Sequence, residues 1–390
     1  MANRGSSLPQ EKASKAFDVV VIGAGIGGLA TAYELQRAGH RVTVLEASAQ
    51  VGGRASTIRK PFADGLCVDA GGFRFSADHF RVRDYLNLFD LPYTPFFLTR
   101  GDMFIYFDGK MMRRKAHERV DPNWLTRPLT VEEHWMFDQE NEDHMFRVCG
   151  GVDLLVNAFV ERLLEKPQLY SKVRRIAQDA NGVTVEYSCD GEDESVRADN
   201  VVSAIPNNVL KEVVVTPTFS TQKANVLSQL KYRAGMLIYF QIPTEYWLEQ
   251  NLSGYGVTDT VGEVWTPGMD VTSPMCITLS YTKDEAALEL LAMSYEERIR
   301  VTITRTEQFL PYFKSFVRES VALSWDEDDL IRGTRSTAMF FSPEQMETVR
   351  RPEGRIHFAG EHTANFRLGW MEGALESAQR VTREINHSSE

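Results

Sequence analysis

Hydrophobic residues near the start of the chain follow two spacings in turn. The segment DVVVIG, which begins at Asp18, is a continuous β-branched run typical of a strand buried on both faces. The next segment, AGIGGLATAYELQRAG, has apolar residues at helical spacing, and RVTVLE after it is again strand-like. The pattern predicts a strand, a helix and a second strand, with order beginning at Phe17.

The same alternation returns after an interruption. GGVDLLVNAFVERLLE places Leu155, Phe159 and Leu163 on one helical stripe, and VTVEYS and DNVVSAIP predict strands. Two other stretches lack this order: the first is rich in Arg, His, Trp and Phe, and the second has strand-like MLIYFQI and ITLSYT before a helical segment. We therefore predict an α/β protein in which a Rossmann-type domain is interleaved with an α+β domain.

The predicted boundaries follow these changes of pattern. Residues 1–16 are polar, show no periodicity and predict a flexible tail. The Rossmann-type domain is expected in three segments and the inserted domain in two. The three segments are 17–74, 149–233 and 333–390, and the two are 75–148 and 234–332.

Composition narrows the possible partners. The 390 residues include 43 Lys or Arg and 54 Asp or Glu, a formal charge of −11, which makes a nucleic-acid backbone an unfavourable ligand. No apolar run long enough to span a membrane is found, because glycines interrupt the longest one. The four cysteines form neither a CxxC pair nor a Cys/His cluster, so we expect no metal site, no disulfide framework and a cytoplasmic location.

A glycine pattern at the first strand-to-helix turn predicts a dinucleotide site. In VVVIGAGIGGLATAYELQRAGHRVTVLE, Gly23 permits a tight turn, Gly25 lets a pyrophosphate approach the backbone, and Gly28 lets helix and strand pack closely. The helix N-terminus then faces the phosphates with partial positive charge. Glu46 ends the second strand, where it can accept hydrogen bonds from ribose hydroxyls and would repel a 2′-phosphate.

Two further segments indicate flavin rather than nicotinamide. Gly52, Gly53 and Arg54 form a loop that can cover a pyrophosphate or approach an isoalloxazine ring. Together with RIHFAGEHTANFRLGWMEGALESAQRVTREI at 355–385, this combination resembles the flavin amine oxidase family. The resemblance implies a glutathione-reductase-like fold of the amine oxidase type and a bound FAD.

The resemblance also implies roles for the second segment. The acid after the glycine, Glu361, would contact ribityl hydroxyls. The helix that begins near Trp370, with Met371 at the matching position, would point at the pyrimidine oxygen, where negative charge grows on reduction. The full predicted cofactor-binding set is Gly23, Gly25, Ile26, Gly28, Glu46, Ala47, Gly53, Arg54, Gly72, Phe73, Val173, Gly360, Glu361, Gly369, Trp370 and Met371.

The segment DAGGFRFSADHFRVRDYLNLFDLPYTPF resembles L-amino acid oxidases and implies a substrate site. Arg74 matches their carboxylate-binding arginine, although an arginine here can instead pair with an internal acid. Trp370 would stand against the flavin face and orient the amine, or pack in the core as most tryptophans do. Trp265, in GEVWTPG, is a further candidate for substrate contact.

Two positions depart from the family. KYRAGMLIYFQIPTEYW resembles the strand whose lysine holds a water against flavin N5, but the lysine position falls on Leu237, which puts rapid reaction with oxygen in doubt. GTRSTAMF, at 333–340, has no cysteine where some monoamine oxidases bond covalently to flavin, so a dissociable FAD is expected. Arg335 in that segment either projects into the site or lies at the domain boundary.

The leading functional hypothesis is oxidation of the Cα–N bond of an amino acid or related carboxylated amine, with hydride transfer to flavin N5 and an imine as product. The electron acceptor would be O2 or another oxidant, and a homodimer is the expected assembly. Three alternatives stay open: a carbon–carbon desaturase of the protoporphyrinogen or carotenoid type, an amino acid monooxygenase, and a flavin-binding subunit without catalysis.

Overall fold

The computed structural model describes residues 12–96, 101–115 and 145–387. Most of the predicted tail 1–16, and residues 116–144 of the predicted segment 75–148, lie outside the described residues.

The described residues form a mixed α/β structure. The strands are β1 (Asp18–Ile22), β2 (Arg41–Leu45), β3 (Thr57–Ile58), β4 (Val68–Asp69), β5 (Phe75–Ser76), β6 (Tyr93–Pro95), β7 (Asp102–Phe107), β8 (Lys110–Arg114), β9 (Met145–Val148), β10 (Ser171–Asp179), β11 (Gly182–Cys189), β12 (Glu192–Ala198), β13 (Asn200–Ser203), β14 (Val214–Thr216), β15 (Tyr232–Arg233), β16 (Gly235–Pro243), β17 (Leu252–Thr258), β18 (Glu263–Trp265), β19 (Met275–Lys283), β20 (Glu319–Leu323), β21 (Arg335–Ser336) and β22 (Ile356–Phe358). The α-helices are α1 (Ile26–Ala38), α2 (Phe80–Leu88), α3 (Asp153–Arg162), α4 (Asn207–Leu210), α5 (Thr221–Gln229), α6 (Glu245–Glu249), α7 (Asp284–Leu291), α8 (Tyr295–Thr306), α9 (Phe313–Phe316), α10 (Pro343–Arg350) and α11 (Met371–Asn386).

A parallel four-stranded sheet, in the order β2-β1-β13-β22, forms the middle of three layers. Successive residues of β1 point to opposite faces: Val19 and Val21 pack against helices α1, α3 and α11, whereas Val20 and Ile22 pack against an antiparallel layer that includes β10 and β11. Because both faces are covered, the strand can be apolar throughout, as its sequence predicted.

A seven-stranded sheet, in the order β20-β16-β19-β18-β17-β7-β8, forms the second major unit. Strand β16 is buried along most of its length, and its residues alternate between two cores. Met236 and Ile238 belong to the core that includes helix residues such as Phe309, whereas Leu237 and Tyr239 belong to the core on the opposite face. That second face is turned towards the candidate site.

Helix α2 packs on the helices beside the parallel sheet. Although α2 lies within the predicted inserted segment 75–148, Val82, Tyr85 and Leu86 pack in the same core as α1 and α11. The Glu372 carboxylate of α11 also accepts hydrogen bonds from the backbone of Arg81 and Val82. The division into five segments stays a prediction.

Candidate active site

A cavity of about 790 Å³ runs from the carboxyl edge of the parallel sheet to the face of the seven-stranded sheet. Gly23, Glu46 and Ala204, which directly follow β1, β2 and β13, line one end, and Trp265 and Tyr281 from β18 and β19 line the other. Ligands of open α/β folds bind in this position, outside the carboxyl ends of the strands.

Most of the predicted site residues meet in this cavity. Gly28 and Leu237 do not line it, and the residues that do are Gly23, Gly25, Ile26, Glu46, Ala47, Gly53, Arg54, Gly72, Phe73, Arg74, Val173, Trp265, Gly360, Glu361, Gly369, Trp370 and Met371. Their contacts with a cofactor or a substrate stay predictions.

The three glycines of the first strand-to-helix turn, Gly23, Gly25 and Gly28, have different structural roles. Gly23 has a φ of +97°, and a Cβ atom there would lie 2.8 Å from Ile205 Cγ2. A Cβ on Gly28 would lie 1.9 Å from the carbonyl oxygen of Gly23, so this position serves packing between helix and strand. Around Gly25 the first protein atom that a Cβ would meet, the oxygen of Gly52, is 4.0 Å away. The space beside Gly25 is therefore left for a ligand.

The first turn of α1 can receive an anion. Its N-cap residue, Gly25, has no side chain to satisfy the leading backbone N–H groups, and no acidic residue lies in the first turn. These N–H groups and the helix dipole suit a pyrophosphate. Helix α11 also begins without a side-chain cap, at Trp370, and both Trp370 and Met371 line the same cavity.

Glu46 is fixed at the end of β2 by backbone donors. Its Oε2 accepts a hydrogen bond from the N–H of Ala24 at 2.6 Å, and its Oε1 accepts one from the N–H of Ser48 at 2.8 Å. Burial raises the pKa of Glu46, although these backbone hydrogen bonds oppose the rise. Each carboxylate oxygen still has a further lone pair, so acceptor capacity for ribose hydroxyls is retained.

Glu361 connects three distant segments. Its buried carboxylate accepts hydrogen bonds from Arg54 Nη1 (3.1 Å), the N–H and Oγ of Ser336 (3.1 and 2.7 Å) and the N–H of Gly369 (3.0 Å). Burial would raise the pKa of Glu361, but the Arg54 charge and these hydrogen bonds outweigh burial and lower it. The predicted contact with ribityl hydroxyls would share a carboxylate that four protein donors already use.

Arg74 is buried at the opposite end of the cavity. Its guanidinium carbon lies 4.3 Å from the ring centre of Trp265 and 6.0 Å from that of Trp370. Its Nη2 is also 3.8 Å from Oε2 of Glu263. The two possibilities raised by the sequence, a site arginine and an internal ion pair, are thus both present, since Arg74 lines the cavity and contacts an acid.

Glu263 is shared between two cations. Its side chain is 2% exposed, contacts Arg74 and accepts a hydrogen bond from Nζ of Lys283. Burial would raise the pKa of Glu263, but the charges of Lys283 and Arg74 and the Lys283 hydrogen bond lower it overall. Glu263 is therefore ionised at neutral pH and offsets one of the two positive charges.

Aromatic side chains form the wall around these charges. The Trp265 ring makes edge contacts with Phe73 (5.4 Å) and a tilted contact with Tyr281 (5.5 Å). Leu237 is 1% exposed in the same apolar cluster and lies directly opposite Tyr281 in the pairing of β16 with β19. Leu237 thus lies beside a cavity-lining residue and does not reach the cavity itself.

Among the residues around Arg74, three were not predicted: Tyr281 and Lys283, which line the cavity, and Glu263, which contacts Arg74. Tyr281 and Lys283 share one face of β19, and Glu263 and Trp265 share one face of β18. The period-two spacing of ITLSYTK and GEVW carries this signal, because an acidic or basic residue at the same parity as an aromatic site residue faces the same side.

The histidines near the motifs do not line the cavity. Burial lowers the pKa of His79 and of His362 to about 4, so both are neutral at physiological pH. Nδ1 of His357 lies 3.0 Å from the Glu384 carboxylate. Within residues 12–96, 101–115 and 145–387, no histidine lines the cavity.

The carboxyl edge of the parallel sheet, two helix N-termini without side-chain caps and the acid Glu46 border one cavity, which fits an extended dinucleotide. The aromatic wall beyond them fits a redox ring. These features define a dinucleotide-dependent oxidoreductase. The family model for flavin-containing amine oxidoreductases matches residues 26–126 and 116–386, so the chain belongs to that family. It is an FAD-dependent oxidoreductase, which confirms the predicted cofactor and enzyme class.

Similar proteins agree with this assignment. The protein YobN of Bacillus subtilis (strain 168), which carries a provisional name as an L-amino-acid oxidase, is 29% identical over 94% of this chain and 94% of its own length. The L-amino-acid oxidase of Bothrops atrox is 26% identical over 95% of this chain and 89% of its own length.

Solved structures share the fold. Cyclohexylamine oxidase from Brevibacterium oxydans IH-35A superimposes with a TM-score of 0.82 at 20% identity, covering 96% of this chain and 99% of that one. A putrescine oxidase bound to putrescine gives 0.79 at 21% identity, covering 95% and 99%. The predicted fold class is confirmed.

The described residues contain neither a candidate membrane span nor a candidate metal site. None of the helices there combines the length and apolarity needed to cross a bilayer. No group of three or more His, Cys, Asp or Glu residues in that part of the chain is arranged to hold a metal ion.

Proposed function

We propose that this enzyme oxidises the Cα–N bond of an α-amino acid or a related carboxylated amine. When bound, FAD supplies the hydride acceptor for this reaction. The observation that carries the proposal is the buried Arg74 guanidinium, stacked on Trp265 and close to Trp370 at the end of the cavity away from the fingerprint glycines.

Arg74 is suited to bind the substrate carboxylate. A guanidinium stays charged at all relevant pH values and pairs bidentately with a carboxylate. The aromatic surroundings exclude water, which strengthens that pairing. Glu263 contacts Arg74 and does not line the cavity, so this ion pair orients the guanidinium.

The substrate amine must be neutral when its α-hydrogen leaves as hydride, because a protonated amine cannot stabilise the positive charge that develops on carbon. Burial raises the pKa of Tyr281 to about 12, so its hydroxyl keeps its proton. His79 and His362 do not line the cavity. The chain therefore orients an amine that loses its proton to water, and the imine product is hydrolysed by water after release.

The cavity chemistry favours a carboxylated amine over the desaturase alternative. A carotenoid polyene is an uncharged hydrocarbon and has no group that could pair with several cations at the reacting end. Arg74, Lys283 and Arg335 all line this cavity. Desolvating these charges against a hydrocarbon would cost several kcal/mol, on the order of the penalty for burying unpaired ions.

The finer parts of the proposal concern the cofactor and the acceptor. Cys67, Cys149, Cys189 and Cys276 are free thiols that do not line the cavity, which supports a dissociable FAD and a reducing, cytoplasmic location. The leucine at position 237 supports slow reoxidation by O2, with another oxidant as the physiological acceptor. The homodimer stays a prediction, which a measurement of the protein's mass in solution would test.

Anaerobic bleaching of the oxidised flavin tests the proposed function. L-Amino acids should bleach it, whereas the corresponding amines without the carboxylate should react at least tenfold more slowly at equal concentration.

Arg74→Ala should raise KM for the amino acid at least tenfold, about 1.4 kcal/mol, with FAD content unchanged. Arg113→Ala is the matched control, because Arg113 lies on β8 and donates only to the Gln250 carbonyl among the contacts described. Equal kinetics for wild type and Arg74→Ala would remove Arg74 from the site.

A further inference from the structure

Arg335 projects into the cavity, which is one of the two positions that the sequence left open for it. Its side chain is half-buried and lines the cavity. Within residues 12–96, 101–115 and 145–387, no carboxylate oxygen lies within 4.0 Å of a side-chain nitrogen of Arg335, and its guanidinium donates no hydrogen bond to those residues. Its N–H donors and its positive charge are therefore left for the group that fills the cavity.

The stem of Arg335 packs against Gly369, immediately before helix α11. A Cβ on Gly369 would lie 3.1 Å from Cδ of Arg335. Gly369 has a φ of +80° and donates its N–H to Glu361. The next residue, Trp370, is the N-cap of α11, and both Trp370 and Met371 line the cavity. The arginine thus lies beside a helix N-terminus that opens on the same cavity.

The backbone around Arg335 is fixed by residues of the cofactor side. Strand β21, which contains Arg335, pairs with β15. The carbonyl of Thr334 accepts a hydrogen bond from Arg54, and the N–H of Ser336 donates to Glu361. Since Arg54 and Glu361 belong to the predicted cofactor-binding set, Arg335 projects from a rigid support on the cofactor side of the cavity.

The charge of Arg335 also reaches the aromatic wall. Burial raises the pKa of Tyr281 to about 12, and among the charges that act on this hydroxyl that of Arg335 has the largest effect, in the lowering direction. The Tyr281 ring contacts Phe73 and Trp265 at 5.9 and 5.5 Å. Arg335 therefore lies between the cofactor-side residues and the aromatic wall, where we expect the redox ring.

The neighbouring cations of the cavity differ from Arg335 in having acidic partners. Within the described residues, the cations that line the cavity outside β10 are Arg54, Arg74, Lys283 and Arg335. Glu361 pairs with the first of them, and Glu263 contacts the next two. In that part of the chain, Arg335 is the one member of this group without a carboxylate at ion-pair distance.

Reduction of the flavin creates a charge that such a cation can stabilise. The oxidised isoalloxazine ring is uncharged, and a hydride brings it two electrons and one proton, so the reduced ring carries one negative charge. A fixed cation beside the ring favours the reduced state, because it attracts the anion and has no net charge to attract in the oxidised ring. Inside a cavity that excludes water, this attraction is screened little.

We propose that Arg335 raises the reduction potential of the bound FAD by stabilising the negative charge of the reduced ring. Arg335 acts through its charge, together with the N-terminus of α11, and transfers no proton. The proposal goes beyond the proposed function and does not depend on it, because it concerns the cofactor and holds for any amine substrate.

The reduction potential of the FAD-loaded protein tests the proposal. Each variant is reduced stepwise without oxygen beside a reference dye, and the potential follows from the absorbance of flavin and dye. Arg335→Gln should lower the equilibrium constant of two-electron reduction at least tenfold, which makes the potential about 30 mV more negative. Arg335→Lys keeps the charge and should stay closer to the wild type than to Arg335→Gln. Arg300→Gln removes an exposed charge on α8 outside the cavity and should leave the potential unchanged.

A binding measurement covers the case in which Arg335→Gln holds FAD weakly. The dissociation constants of oxidised and of reduced FAD are determined separately for each protein, the second without oxygen. Their ratio fixes how far binding shifts the potential of FAD, because the two equilibria are linked. Arg335→Gln should weaken the binding of reduced FAD at least tenfold more than the binding of oxidised FAD.

Three results would overturn the proposal. The first is an unchanged potential in Arg335→Gln. The second is an equal decrease in Arg335→Gln and Arg335→Lys, which would assign the effect to side-chain shape and not to charge. The third is equal weakening of both oxidation states of FAD, which would make Arg335 a residue that only holds the cofactor. If no amino acid bleaches the flavin, the proposed function fails, while these measurements, made with a chemical reductant, still decide the role of Arg335.

Discussion

Adding one methyl group at Gly25 or at Gly28 separates binding of the cofactor from packing of the fold. The Cβ of alanine at position 25 would meet no protein atom closer than 4.0 Å, and the φ of −67° at this residue is accessible to alanine. The same methyl at position 28 would lie 1.9 Å from a backbone oxygen that cannot move without moving the strand.

The expected magnitudes follow from these distances. Gly25→Ala should change the stability of the FAD-free protein by less than about 1 kcal/mol, the usual size of an N-cap effect. It should weaken FAD binding by about tenfold to a hundredfold, because a methyl group that displaces the pyrophosphate costs a charge-assisted hydrogen bond of about 1.5 to 3 kcal/mol. Gly28→Ala should destabilise the fold by about 3 kcal/mol through overpacking, a decrease in melting temperature of about 4 °C for a chain of this size.

Two measurements on each variant distinguish the effects. Melting temperature without added FAD reports the fold, and equilibrium ultrafiltration of FAD reports its dissociation constant. We expect Gly25→Ala to change only the second and Gly28→Ala to change the first. An unchanged dissociation constant for Gly25→Ala would refute the placement of the pyrophosphate beside this residue, and an unchanged melting temperature for Gly28→Ala would refute the packing argument.

Three further predictions address the rest of the molecule. Leu237→Lys should speed reoxidation of reduced flavin by O2 in stopped-flow mixing, and an unaltered rate would show that the missing lysine is not what limits it. The unfolding free energy should fall by about 3 kcal/mol on account of His362 as pH drops from about 6.5 to about 4, since the unfolded chain takes up a proton that the folded chain excludes. In urea unfolding, the unfolding free energy of His362→Gln should depend less steeply on pH than that of the wild type. Equal slopes for the two proteins would contradict this. Acid precipitation of the holoenzyme should release all FAD into the supernatant, whereas yellow protein in the pellet would indicate a covalent bond.

The sequence predicts the opening strand–helix–strand unit well because local pattern and tertiary environment agree there. The β-branched run of β1 requires a strand buried on both faces, and the spacing of Gly23, Gly25 and Gly28 requires a tight turn into a helix, so neither depends on distant residues. The position of α2 is different. Its packing on α1 and α11 depends on a surface assembled from residues far away in the chain.

The substrate end of the site was predicted less completely for a similar reason. Arg74, Trp265 and Trp370 were identified through their resemblance to known oxidases, but the ion pairs that surround Arg74 depend on how β18 and β19 align. Glu263 lies directly opposite Tyr281 only because of the register between these two strands. A register is set by turn geometry and by packing on the whole sheet, which a local pattern does not contain.

The four hydrogen bonds to Glu361 have a consequence for biosynthesis. Arg54 precedes Glu361 by 307 residues, and Ser336, Gly369, strand β22 and helix α11 are likewise made long after the glycine turn. The nascent strand–helix–strand unit therefore waits, with its nucleotide pocket open on one side, until these later segments have been synthesised. A ribosome that stalls before Glu361 would leave a chain that cannot close around its cofactor.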